Sequence, residues 1–87
     1  MNKQTINEGV NVTSLSFRST RDFTSYPRRM EYRGQAYTFL NGLQYLIKKG
    51  GEITRIFDMT DGHGANYRLK CDDAQSSWTL VAITDRA

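Results

Sequence analysis

The chain has 87 residues, of which 38% are hydrophobic and 24% charged, with a formal net charge of +3, one cysteine and one proline. That describes one small domain with a modest core, and it excludes a chain disordered by composition. It also excludes a helical membrane span, which needs about 18 consecutive apolar residues, and an intrachain disulfide, because Cys71 has no partner.

The opening "MNKQTINEGVNV" holds no apolar stretch and no small-residue cleavage pattern. With the lone cysteine, this predicts a cytoplasmic protein in a reducing compartment. Residues 1–9 are polar and are expected to be flexible, with a single α+β domain over 10–87. Residues 10–17 are small, β-branched or apolar, which suits an edge strand with Leu15 and Phe17 turned inward. "RSTRDFTSYP", 18–27, reads as a loop, and Pro27 restricts Tyr26 to extended geometry where the next strand begins.

"YPRRMEYRGQAYTF", 26–39, holds three arginines and four aromatic rings around one glycine. A two-residue turn at Gly34-Gln35 sets Tyr32 opposite Tyr37 and Met30 opposite Phe39. Alternation then puts Met30, Tyr32, Tyr37 and Phe39 on one face, and Arg29, Glu31, Arg33, Ala36 and Thr38 on the other.

"LNGLQYLIKKGG", 40–51, has the marks of a short helix. Asn41 is an N-cap with Gln44 three residues on, and Leu40 and Tyr45 are spaced as a hydrophobic staple. Leu43, Leu46 and Ile47 make an apolar stripe, Lys48 and Lys49 complement the C-terminal dipole, and Gly50 supplies the left-handed cap. At about two turns, such a helix must pack on a sheet.

The remainder reads as a three-strand meander. The first strand covers 52–60, and "TDGHGA" is a turn. The second covers 66–71, with Tyr67, Leu69 and Cys71 in and Arg68 and Lys70 out. "DDAQSS" is a second turn, and 78–84 is a last strand that begins at Trp78. The expected fold class is α+β: an antiparallel sheet in the order β-ββ-α-βββ with one short helix packed on it. The alternative is a small β-barrel with the helix as a plug. The pattern resembles many small bacterial or phage-encoded domains, without a motif specific to one family.

Charge is unevenly placed. Residues 1–50 carry eight basic and three acidic side chains, and residues 51–87 carry four and six. A basic first half can face phosphates or pair with an acidic second half, including that of another copy. Arg18, Arg21, Arg28, Arg29 and Arg33, with Phe23 and Tyr26 between them, form the candidate binding surface. Guanidinium forks suit phosphates and the rings suit base stacking, while Glu31 and Asp22 work against both.

Asp58, Asp61 and His63, with Asp72 and Asp73, offer oxygen and imidazole ligands. They lack the alternating ligands and final glutamate of a calcium loop, and Asp and Gly are what a turn requires. One histidine and one cysteine do not assemble a zinc site. Cys71 and His63 could pair as nucleophile and base, yet Cys71 falls on the apolar face. No phosphate loop, nucleophile elbow or dinucleotide fingerprint occurs. The reading is a non-enzymatic binding or assembly module, with no metal and no cofactor. Its partner is a protein or a second copy, acting through sheet edges and the Arg-rich hairpin face. Nucleic acid is the alternative partner and a small enzyme the remote one; no membrane role is expected.

Overall fold

The computed structural model describes residues 2–17, 25–72 and 77–85. It is all-β. Seven strands run β1 Asn2–Phe17, β2 Ser25–Tyr32, β3 Gln35–Thr38, β4 Asn41–Lys49, β5 Glu52–Thr60, β6 Ala65–Asp72 and β7 Ser77–Asp85. They form one open sheet in the order β3-β2-β1-β7-β6-β5-β4, every neighbouring pair antiparallel. The expected α+β class is therefore wrong: no described residue is helical.

The error lies in residues 41–49. They pair along their whole length with β5, from Asn41↔Thr60 to Lys49↔Glu52. Gly50 and Gly51 both have positive φ, 59° and 84°. They form the two-residue turn of a hairpin, where the sequence reading took Gly50 for a helix cap. Two positive φ values in succession are the signature of a type I′ turn, whose twist matches that of the strands it joins.

The first hairpin also differs from expectation. Arg33 and Gly34 form its turn, with φ of 51° and 78°. Tyr32 faces Gln35 and Met30 faces Tyr37, so the ladder is offset by two residues from the expected register. An offset of two preserves the faces, because side chains alternate with period 2. Met30 and Phe39 are buried, Tyr32 and Tyr37 are half-buried, and Arg29, Glu31, Arg33, Ala36 and Thr38 are exposed. The rings of Tyr32 and Tyr37 still meet diagonally, with centroids 6.5 Å apart.

Residues 2–9, expected to be flexible, are the first half of β1 and pair with β7, beginning at Asn2↔Asp85. The second half, from Asn11, pairs with β2 instead. Asn7, at φ 54°, marks the irregularity between Thr5 and Glu8. Leu15, expected inside, is exposed.

The sheet is strongly curled. Laid flat, seven strands would separate β3 from β4 by about 29 Å. Only Phe39 and Leu40 lie between them in the chain, a reach of about 11 Å at most. The two edges therefore meet at one corner. There the Phe39 N–H donates to the Arg28 carbonyl and the Leu40 N–H to the Thr60 carbonyl, both at 2.8 Å. No ladder joins β3 to β4 among the described residues, so the expected barrel alternative is approached in shape but not in pairing.

Inside the curl lies the core: Met30, Phe39, Phe57, Met59, Tyr67, Leu69, Cys71 and Leu80. The meander β5–β7 supplies most of it, and its strands fall where the sequence puts them, with Tyr67, Leu69 and Cys71 in and Arg68 and Lys70 out. Rings meet across it at a tilt, Phe39 with Tyr67 at 5.3 Å and Phe57 with Trp78 at 5.4 Å between centroids.

Candidate functional site

The Arg-rich hairpin is partly neutralised by β1. The Tyr32 hydroxyl and an Arg33 guanidinium nitrogen both donate to the same Glu8 oxygen, each at 2.9 Å. Burial, and then the bond to Glu8, push the Tyr32 hydroxyl above its ordinary value. The Arg33 guanidinium lies 5.3 Å from the Tyr32 ring centroid. Arg29 shares its face with Glu31, two residues along, in a row with Ser14 and Thr38. Arg28 is exposed, and Tyr26 is half-buried against the core. Arg18, Arg21 and Phe23 lie outside the described residues, as do Asp22 and Asp73. Of the candidate binding surface, Arg28, Arg29 and Tyr26 thus lie along β2 and Arg33 in the turn after it; Tyr26 packs against the core and Arg33 pairs with Glu8. The bulge near Asn7 sits immediately before Glu8, and an N-terminal segment read as loose gave no signal of this contact.

The loop after β5 is a self-satisfied turn. Asp61 accepts from the His63 N–H at 2.7 Å through one oxygen and from the Tyr67 hydroxyl at 3.1 Å through the other. Burial alone would raise the Asp61 carboxyl, but these donors outweigh it and hold it below its ordinary value of 3.8. Burial, then the bond to Asp61, pushes the Tyr67 hydroxyl far above its ordinary range. Asp58 is held from the next strand by a two-pronged bond from Arg68, at 2.7 and 2.8 Å. That bond raises the Arg68 guanidinium further. No group of three metal-ligating side chains converges among the described residues.

Cys71 is buried at one end of β6, while His63 precedes the other end. At about 3.4 Å per residue that is roughly 20 Å or more of strand. The Cys71–His63–Asp61 constellation is therefore not assembled.

Two concavities flank β4. A cleft of about 80 Å³ lies where Tyr26 of β2 approaches Gly42, Leu43 and Gln44 of β4 over Phe57 and Met59. Ligand pockets usually run to about 300 Å³ or more, so it holds a few waters at most. A broad trough of about 780 Å³ opens on the outer face, bounded by Leu43 on one side and Lys3 on the other. The Asp58–Arg68 pair lies in its lining, where the two charges offset each other.

Strand β4 is the most unusual surface. Its pairing with β5 puts Leu43, Tyr45 and Ile47 on the outer face and Gln44, Leu46 and Lys48 on the inner one. Their exposure is high: Leu43 57%, Tyr45 46%, Leu46 58% and Ile47 51%, with Ile53 beside them at 44%. The strand lies at the sheet edge, so one side of its backbone meets no neighbouring strand among the described residues. A two-residue turn closes on the hydrogen-bonded pair Lys49/Glu52, and antiparallel ladders alternate thereafter. The backbone groups of Tyr45 and Ile47 are thus turned to β5, and those of Gln44, Leu46 and Lys48 to the open side. Sequence reasoning missed this edge because the apolar residues at 43, 46 and 47 also fit a helical stripe. The signal that could have found it is Gly50-Gly51 between two β-rich runs of equal length.

Among the described residues no helix is long and apolar enough to cross a membrane. No family model, curated protein or solved structure matches this chain.

Proposed function

We propose that this chain is a small non-enzymatic binding and assembly module of the cytoplasm, acting through protein–protein contact. Its working surface is the open edge of β4, with the Arg-rich hairpin face as a second contact. The observation that carries this reading is a nine-residue edge strand with large apolar side chains exposed on both faces. Soluble proteins normally blunt such an edge with charge, proline or a bulge, because its free backbone groups template the addition of a strand. Here the blunting is confined to Lys48 and Lys49 at one end. Strand addition takes its affinity from main-chain bonds and its specificity from alternate side chains. The Arg33–Glu8 pair and the Arg29–Glu31 neighbourhood shift the weight from the hairpin to this edge.

A pull-down from native lysate, with nuclease-treated and untreated arms, tests it. Wild type is compared with Leu43→Lys/Ile47→Lys and with Arg29→Glu/Arg33→Glu. A protein retained after nuclease, lost from the β4 variant and kept by the hairpin variant is the expected result. Binding that disappears with nuclease and with the hairpin variant would transfer the function to polynucleotide. In that case affinity should fall with salt at a log–log slope of about −0.9 per phosphate neutralised on duplex DNA.

A further inference from the structure

We infer that the partner taken up by the β4 edge is the β4 edge of a second copy, paired antiparallel about a two-fold axis at Tyr45. This rests on the reading of β4 as the working edge and names its occupant.

Self-complementarity of the strand is the first argument. With Tyr45 at the centre, Leu43 of one copy faces Ile47 of the other, Tyr45 faces Tyr45, and Gln44 faces Leu46. The exposed outer row Leu43, Tyr45 and Ile47 then closes on itself with no apolar residue left against a polar one. Centring on Leu46 sets Leu43 against Lys49, and centring on Gln44 sets Ile47 against Asn41. A two-fold interface requires this property, since one patch must complement itself.

The backbone gives the second argument. Gln44, Leu46 and Lys48 aim their N–H and C=O groups at the open side, by alternation from the Gly50-Gly51 turn. A Tyr45-centred pairing makes Gln44/Leu46 and Gly42/Lys48 the hydrogen-bonded pairs. Tyr45/Tyr45 becomes a non-hydrogen-bonded pair, the type in which opposed side chains approach most closely. The free groups therefore permit the register that the side-chain symmetry selects.

Charge is the third. An antiparallel two-fold puts Lys48 and Lys49 across from Gly42 and Asn41, so the two lysine pairs lie at opposite ends, about 20 Å apart at strand spacing. That exceeds the screening length of about 8 Å at physiological salt. Parallel pairing of the same edges would set the lysines side by side, which is unfavourable. The result is one continuous sheet through both copies, with Leu43, Tyr45 and Ile47 of the two copies side by side on its outer face and Leu46 beside Gln44 on its inner.

The test combines mass with register. Sedimentation equilibrium of the full chain should give twice the chain mass, and Tyr45→Lys should weaken association by at least about tenfold by opposing two cations at the centre. Circular dichroism of this variant should match wild type, since Tyr45 is exposed. Under mild oxidation, Tyr45→Cys alone should give a disulfide-linked dimer, because a central pair at about 4.5 Å suits the bond. Leu43→Cys alone and Ile47→Cys alone should not, while an equimolar mixture of those two should. Wild type, whose Cys71 is buried, is the control.

A monomer at the highest attainable concentration overturns the inference. If that monomer still captures a protein through β4, the binding-module reading stands and only the identity of the partner is wrong. A dimer that survives Tyr45→Lys, or that links through Leu43→Cys alone, overturns the Tyr45 register. A dimer indifferent to every β4 substitution removes the working edge as well.

Discussion

Strand β3, at one edge of the sheet, is four residues long; β4, at the other, is nine. Both belong to hairpins closed by two residues of positive φ, Arg33-Gly34 in one and Gly50-Gly51 in the other. The β3 edge offers Gln35, Ala36 and Thr38 to solvent, and its one ring, Tyr37, is half-buried with its hydroxyl bonded to Gln35 at 2.9 Å. The β4 edge offers Leu43, Tyr45, Leu46 and Ile47. Similar turn chemistry has thus produced one edge that is short and polar and one that is long and apolar. The difference lies in strand length and side-chain choice, not in the turn. An edge is an interface when its side chains stay apolar where no fold requires them to be.

The largest effect that sharpens this contrast comes from beneath β4. Phe57 faces Gln44 from the inner side and is fully buried. Phe57→Ala should cost about 3–5 kcal/mol in urea unfolding of the monomeric background Tyr45→Lys. In the same background Leu43→Ala should stay within about 0.5 kcal/mol, since an exposed side chain supports contact and not the fold. A comparable cost for both would mean that the β4 side chains belong to the core.

The two turns should respond in opposite directions. At Gly51, φ is 84°, and Gly51→Ala should cost about 1–2 kcal/mol by forcing a Cβ into left-handed geometry. Arg33 already carries that strain. In a Glu8→Gln background, which removes the ion pair, Arg33→Asn should raise the unfolding free energy by up to about 1 kcal/mol, because Asn tolerates the left-handed region. Loss of stability there would place the value of Arg33 in contacts other than Glu8.

The smallest effect is pH-dependent and lies in the loop after β5, at Asp61. Its folded value is depressed below 3.8, so its contribution is fully present above that pH and is lost as pH falls through the folded value. Wild type should therefore exceed Asp61→Asn in urea midpoint at pH 7, and the gap should narrow as pH falls below 3.8. A gap that is constant with pH would assign it to the hydrogen bonds of the turn and not to the charge.

The meander was legible in the sequence because alternation, turn residues and burial agree there: Tyr67, Leu69 and Cys71 point inward between two glycine- or aspartate-rich turns. The sorting of the first hairpin into faces was legible too, although the turn was placed one residue late. It survived because a two-residue offset leaves parity intact. Residues 41–49 misled because Asn41, Gln44, Lys48 and Gly50 satisfy helix-end chemistry, whose parts are worth about 0.3–1.5 kcal/mol each. A nine-residue ladder with β5 outweighs them, and that ladder is a tertiary fact which local propensity does not contain. The Glu8–Arg33 pair was illegible for a related reason, since it joins residues 25 apart through a bend in β1. The β4 edge was hidden by the helix assignment itself.

The split allegiance of β1 bears on how the molecule is made. Its first half zips to β7 across almost the full length of the polypeptide, Asn2 against Asp85. Its second half joins β2 only a short span away. During synthesis β2 follows soon after β1, whereas β7 follows only after the five strands between them. Loop-closure entropy makes that distant zipper slow. Until it forms, the segment 2–10 lacks its only strand partner among the described residues.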